Sequence, residues 1–170
     1  SRSRGRRRRR PRCGRVRRRR RPRIEIRATE AGRASGLIGN YRSKRPVVCV
    51  HGGELNRFAV EQPQVDVLAH PMDGGDFNHV LARTAAENGV HLEFNFRRVL
   101  RADGGERVQA IQGLRKLREL VEHYDAPYVV SADADSHLGL RAPRELSALG
   151  EAVGFEGGAG AGPYTPPTPP

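Results

Sequence analysis

The sequence predicts an α/β protein, a parallel sheet with helices packed outside it, and three observations carry that prediction. PVVCVHG (46–52) is a continuous apolar run, the pattern of a strand buried on both faces, and VDVLAHP (65–71) reads as another buried strand. Strand-like and helix-like segments alternate about four times between residues 24 and 155. The crossovers between strands are long, as parallel neighbours require and hairpins do not. An open doubly wound sheet and a barrel both satisfy this order. No Gly-x-Gly-x-x-Gly follows a strand at the required place, so a dinucleotide or P-loop fold has no support.

The elements read as follows. IEIRA (24–28) alternates and is β-branched, which predicts a strand. TEAGRASGLIGNYRSKR (29–45) is punctuated by glycine and reads as loop with at most one helical turn. After the strand at 46–52, GELNRFAVEQ (53–62) places Leu55, Phe58 and Ala59 at helical spacing, and Pro63 stops it. The strand at 65–71 leads to DFNHVLARTAAENG (76–89), a helix with Asp76 as its cap. Phe77, Val80, Leu81 and Thr84 form its stripe, and Gly89 ends it. VHLEFNF (90–96) is a strand and RRVLRADGG a loop. GERVQAIQGLRKLRELVEHYD (105–125) is the longest helix, turning Val108, Ile111, Leu114, Leu117, Leu120 and Val121 inward. PYVVSADA (127–134) is a strand, SHLGLRAP a loop, and a short helix follows with Pro143 in its first turn.

Charge divides the chain. Of 170 residues, the first 23 carry fifteen arginines, no lysine and no acid, whereas residues 24–170 hold sixteen Lys+Arg against nineteen Asp+Glu, a net −3. The formal +12 of the whole therefore describes the arginine run, and any nucleic-acid surface on the body must be local. Residues 1–23 lack apolar periodicity and repel themselves, so they are expected to be a disordered tail. Such a run binds phosphates without sequence preference, and its composition is equally compatible with a reading-frame artefact. Residues 156–170, Gly/Ala then Pro/Thr, read as a second flexible tail, which leaves 24–155 as the folded unit. Cys13 and Cys49 fit neither a disulfide framework nor a zinc ribbon. With no export signal and no apolar stretch near membrane length, a reducing, cytoplasmic setting is expected.

In parallel α/β folds the loops after the strands' C-terminal ends build the site. Here His51 and Glu54 follow one strand, His70, Asp73, Asp76 and His79 the next. Glu93 and Asn95 punctuate the fourth, and Ser131, Asp133, Asp135 and His137 follow the last. Such imidazoles and carboxylates have the chemistry to hold a divalent ion and an activated water. No H-x-H or H-E-x-x-H pair fixes two ligands on one element, however. Asp76 has a simpler duty as a cap, and His70 before Pro71 reads as an extended strand exit. Arginines form a second set of candidates, for phosphate contacts. Arg42, Lys44 and Arg45 lie in a glycine-rich stretch, Arg97, Arg98 and Arg101 follow the fourth strand, and Arg141 and Arg144 come in the last crossover. Few acids offset the first two groups locally. Arg115, Lys116 and Arg118 sit near Glu119 and Glu122 and read as a solvated helix face. With few aromatics interleaved, structured RNA read by shape suits these groups better than stacked single strands.

The succession YRSKR, VDVLAHP, EFNFRRVLRADGG and SHLGLRAPRE, set within residues 24–155, closely resembles the archaeal ribonuclease P protein component 3 family, relatives of eukaryotic Rpp30. Its salt-loving archaeal members look most alike. The resemblance implies a TIM-barrel-like parallel (β/α) fold of the PHP superfamily. It also implies the role of a non-catalytic subunit of ribonuclease P, the endoribonuclease that removes the 5′ leader from precursor tRNA. It further implies ribonuclease P RNA, a Pop5-like protein component 2, other ribonuclease P proteins and precursor tRNA as partners. Mg2+ is expected on the RNA and no cofactor on this chain. By position, the family's basic surface corresponds to Arg42, Lys44, Arg45, Arg98, Arg101 and Arg141. Hydrolytic relatives open with a histidine pair on the first strand, and nothing here corresponds to it. Members are expected to carry further strand–helix units before IEIRA and a helix after AVGF, and EFNFRRVL departs from an EFDLSPVL-like wording. The first units of the barrel are therefore expected to be lacking. The alternative, from another class, is a PHP-type metal-dependent phosphoesterase using His51, His70, Asp133 and His137.

Overall fold

The computed structural model describes residues 23–74 and 76–155; the expectations for the two tails lie outside the described residues, apart from Arg23. Among the described residues, five strands form one sheet, all parallel, in the order β1 (Arg23–Ile26), β2 (Val47–His51), β3 (Val67–Ala69), β4 (His91–Asn95) and β5 (Tyr128–Ser131). Each new strand joins the same side, without the reversal of a doubly wound sheet. The sheet is also strongly curved. Arg23 on β1 reaches Glu93 on β4 at 3.3 Å, although strands three apart in a flat sheet are separated by about 14 Å. Consecutive order with inward curvature is a TIM-barrel-like arrangement, and of the two architectures the sequence allowed, this is the one formed.

Alternation along the strands separates two faces. Ile26, Val48, Val50, Leu68, Leu92, Phe94 and Phe96 face outward into the apolar core. They meet Ala34 and Ile38 of α1 (Ala31–Arg42) and Ala59 and Val60 of α2 (Asn56–Glu61). Leu81, Ala82 and Ala85 of α3 (His79–Asn88) and Leu114, Leu117 and Val121 of α5 (Gly104–Tyr124) complete the cover. Val153, the last residue of α6 (Pro143–Val153), and Phe155 close one end, where Phe155 stacks on Tyr128 at 5.3 Å and meets Phe94 edge-on at 5.0 Å. Full burial of one such aromatic contributes about 1.5–3 kcal/mol. The opposite face of the sheet carries Arg23, Glu25, Cys49, His51, Glu93 and Asn95, and there the site forms.

Four local expectations are corrected. Residues 31–42 are a twelve-residue helix rather than a loop, because Ala34 and Ile38, four apart, bury completely against the sheet and outweigh three glycines. Residues 97–101, also expected as loop, form α4 (Arg97–Arg101), whose Val99 is buried. α3 begins at His79 rather than Asp76. Asn78 is its cap, accepting from Val80 and Leu81 N–H, and Asp76 accepts from the Asn78 amide. Val80 is consequently exposed and the buried stripe is Leu81, Ala82 and Ala85. Val108, expected to point inward from α5, is likewise exposed. Among the described residues, no helix is long and apolar enough to cross a membrane.

Candidate functional site

Side chains from all five strand ends meet at the C-terminal mouth of the sheet. The geometry starts at Gly52, whose N–H donates to Ala69 C=O at 2.7 Å and locks the exit of β2 to that of β3. His70 follows β3 with φ +53°, so it is left-handed rather than extended as its proline neighbour suggested. The reason is a tight turn. Asp73 N–H donates to His70 C=O at 3.0 Å, and buried Asn56 holds Pro71 C=O at 2.9 Å. That turn aims the imidazole inward, with its side chain only 9 % exposed.

His70 Nδ1 lies 3.1 Å from Asp73 Oδ2, and Nε2 lies 3.2 Å from Asn95 Nδ2 and 3.6 Å from Asp133 Oδ2. In the neutral ring, Nδ1–H donates to Asp73 while Nε2 accepts from Asn95; a second proton faces Asp133. His51 tilts against His70 with ring centroids 4.7 Å apart, and its Nδ1 meets Glu25 Oε1 at 2.9 Å. Glu93 is completely buried, accepting from Arg23 at 3.3 Å and from Asn95 at 3.3 Å. The guanidinium of Arg23 also approaches Glu25 at 3.6 Å and Asp133 at 3.9 Å, bridging three strand ends.

The electrostatics follow these contacts. Burial works against a charged His70, but the Asp73 hydrogen bond and the Glu93, Asp73 and Glu25 charges outweigh it and raise its pKa. The bond from His70 holds Asp73 below the usual carboxylate range, with Arg98 adding to the effect. Glu25 is also lowered, because bonds from His51 and Arg27 overcome its desolvation. Desolvation pushes the buried Cys49 thiol up to about 12, so it is inert as a nucleophile near neutrality.

Beside this centre stands an arginine–carboxylate lattice. Arg97 is paired with Asp135 and Asp133, Arg98 with Asp73 at 3.2 Å, and Arg101 with Asp135 at 2.9 Å. The acids that offset these arginines come from the loops after β3 and β5, which is why their own segment looked unopposed. Two small cavities, about 30 and 40 Å³, lie under Arg98 against Met72, Asn95 and Leu114. Each suits a water or two, far from the several hundred Å³ of a substrate cleft.

Sequence-derived candidates are thus brought together only in part. His51, His70 and Asp133 converge, while His137 sits exposed in a 3-10 turn (His137–Gly139) and Glu25 takes its place beside them. Glu25, His51 and His70 present ligand-type atoms within 4.8 Å of one another. The basic candidates split between the two ends of the sheet. Arg42, Lys44 and Arg45 precede β2, with Arg42 paired to Asp66 and Lys44 bonded to Asn40. Arg98, Arg101 and Arg141 lie at the opposite end, where Arg141 holds its own loop through Leu138 and Leu140 C=O. Arg118 pairs with Glu122 on its own helix, but its side chain is half-buried beside Gly154 rather than on the solvated face expected for it. Arg23 and Glu25 were missed. The alternation of RIEI, which sets both opposite Ile24 and Ile26, was the available signal.

A consecutive parallel β/α sheet, with its polar centre at the strands' C-terminal ends, defines a TIM-barrel-like α/β protein. Residues 19–161 match the family model described as RNase P subunit p30, and the chain belongs to that family. It is 77 % identical over 133 residues to ribonuclease P protein component 3 of Natronomonas pharaonis, covering 78 % of this chain and 56 % of that protein. The Haloarcula marismortui counterpart is 65 % identical over 136 residues, covering 78 % and 58 %. That of Methanococcoides burtonii is 41 % identical over 137 residues, covering 78 % and 57 %. Among solved structures, a chain in the cryo-EM structure of archaeal Ribonuclease P with mature tRNA is similar, with TM-score 0.67 and 31 % identity, covering 77 % of this chain and 58 % of that one. This chain therefore spans little more than half the length of the relatives it matches.

Proposed function

We propose that the chain serves as a protein subunit of ribonuclease P, supporting a catalytic RNA that removes the 5′ leader from precursor tRNA. The observation behind this reading is its likeness, over 77 % of its length, to a chain of an archaeal ribonuclease P structure with mature tRNA. The chain itself is non-catalytic in this reading and carries no cofactor of its own, the Mg2+ residing on the RNA. Its partners are ribonuclease P RNA, a Pop5-like protein component 2, the other ribonuclease P proteins and precursor tRNA, in the cytoplasm. RNA contacts fall to two separate surfaces, Arg42, Lys44 and Arg45 at one end of the sheet and Arg98, Arg101 and Arg141 at the other. Exposed ion pairs such as Arg42–Asp66 contribute about 0–1 kcal/mol, so exchanging carboxylate for phosphate costs little.

Reconstitution tests this. Precursor tRNA cleavage by the RNA with its other proteins should rise on adding this chain, and no stimulation at any salt concentration would sink the proposal. The phosphoesterase alternative has the convergence of His51, His70 and Asp133 in its favour, whereas the two cavities beside that convergence are far below substrate size. Metal-dependent hydrolysis of a phosphomonoester by the chain alone, lost in His70→Ala, would favour it instead.

A further inference from the structure

We propose that Arg97 and Arg101 form a two-arginine clamp for one RNA phosphate, and that Asp135 occupies this clamp as a tethered competitor that holds down the chain's affinity for RNA. The inference rests on the RNA contacts assigned above, and adds to them a residue, Arg97, and a brake. Arg97 and Arg101 stand four apart on α4, neighbours on one face of the helix. Both close on the same carboxylate. Arg97 grips it as a fork, with Nη1 on Oδ1 and Nη2 on Oδ2 at 2.7 Å, and Arg101 adds its Nη2 to Oδ2 at 2.9 Å. A carboxylate held by two guanidiniums offers the paired acceptor oxygens that a phosphodiester also offers, so the two anions compete for one geometry.

Three features set this contact apart from a simple staple between loop and helix. The side chains of Arg101 and Asp135 are 56 % and 51 % exposed, so a polyanion reaches the pair without unfolding anything. Arg97 keeps its place when the carboxylate leaves. Its Nη1 also donates to Asp133 C=O at 3.3 Å and lies 3.6 Å from Asp133 Oδ2. The bond from Arg97 holds Asp135 below the usual carboxylate range, so the competitor stays charged near neutrality and protonation does not release it. Exposed pairs of this kind are weak, so the clamp opens readily, and affinity for RNA is scaled down by the fraction of time that it stands open. On displacement, the freed carboxylate gathers a cation and cancels one of the counterions that RNA binding releases.

The test measures filter binding of full-length chains to ribonuclease P RNA across a salt series. Asp135→Asn is expected to bind about three- to tenfold more tightly than the unmodified chain, with a salt slope steeper by about 0.7–0.9, the share of one phosphate. Asp135→Glu keeps the charge and should bind as the unmodified chain does. Glu119→Gln removes one charge from an exposed position on α5 and should change affinity less than twofold, which separates the clamp from net charge. With Arg97→Ala and Arg101→Ala both present, binding should weaken about threefold or more, and adding Asp135→Asn should then change nothing. The proposal is overturned if Asp135→Asn gains nothing or loses affinity, if Glu119→Gln gains as much, or if the gain survives loss of both arginines. Should Asp135→Asn fail to fold, unchanged binding in the double alanine variant overturns it instead. Cleavage of precursor tRNA is scored separately. Absence of stimulation by any chain sinks the subunit reading, whereas the binding differences alone decide the clamp.

Discussion

At the scale of single residues, Gly52 sets the position of the centre more than any ionisable group does. A Cβ there would lie 2.6 Å from Asn56 Oδ1 and 2.7 Å from His70 C=O, and one of those is backbone that cannot swing aside. Gly52→Ala should therefore cost about 1–3 kcal/mol in urea unfolding, and an unchanged midpoint would refute the packing described. His70 and Asp73 give a prediction in pH. His70's pKa is raised above 6.5, so its contribution to stability is complete below that value and lost as pH rises through the folded pKa. Asp73's is lowered below 3.8, so its contribution is complete above that value and lost as pH falls through the folded pKa. With chelator present, melting temperature should peak between the two ordinary values and fall on both flanks. Asp73→Asn should flatten both falls, and an unaltered profile in that variant would count against the pair.

At the scale of elements, α1 shows how tertiary burial overrides local preference. Apart from chain neighbours and the helix's own backbone, nothing stands within 4 Å of a Cβ built at Gly32, Gly36 or Gly39, and none of the three has positive φ. These glycines face solvent and only weaken the helix. Gly36→Ala should raise stability by about 0.5–1 kcal/mol, read from thermal unfolding, and a loss would mean that α1 is held differently. The same glycines hid α1 in the sequence, since they diluted the pattern that Ala34 and Ile38 alone carry. α5 was legible because Leu114, Leu117 and Val121 recur at helical spacing, and β2 and β3 because VVCV and VLA are short apolar runs. Strand-end histidines were legible as a class. What escaped was pairing across the fold: that Asp73 and Asp135 answer Arg98 and Arg101, that Arg23 crosses to Glu93, and that His137 stays outside. Those contacts depend on sheet curvature and loop paths, which neither periodicity nor spacing encodes.

At the scale of the whole molecule, positive charge is distributed in three places with different physical meaning. Residues 1–22 hold fourteen arginines with no acid among them. Arg42, Lys44 and Arg45 lie at one end of the sheet, near Asp66, and Arg98 and Arg101 lie at the other within a carboxylate lattice. The arginine run neutralises phosphates wherever they are, so deleting residues 1–22 should cut binding to arbitrary RNA and DNA steeply and flatten its dependence on salt. Arg23 is kept in that deletion because it belongs to β1. Selective association with ribonuclease P RNA should survive, since shaped recognition needs charges held in fixed positions. Replacing Arg42, Lys44 and Arg45 together by alanine should do the reverse. Residues 24–170 carry a net −3, so only local clusters on that body overcome its repulsion from phosphate, and removing one should weaken the specific complex while leaving non-specific binding nearly unchanged. Precursor tRNA cleavage with each variant across a salt series separates the two roles. If the triple variant supports normal cleavage while the deletion abolishes it, the RNA contact assigned to residues 42–45 is wrong and the arginine run is the functional element.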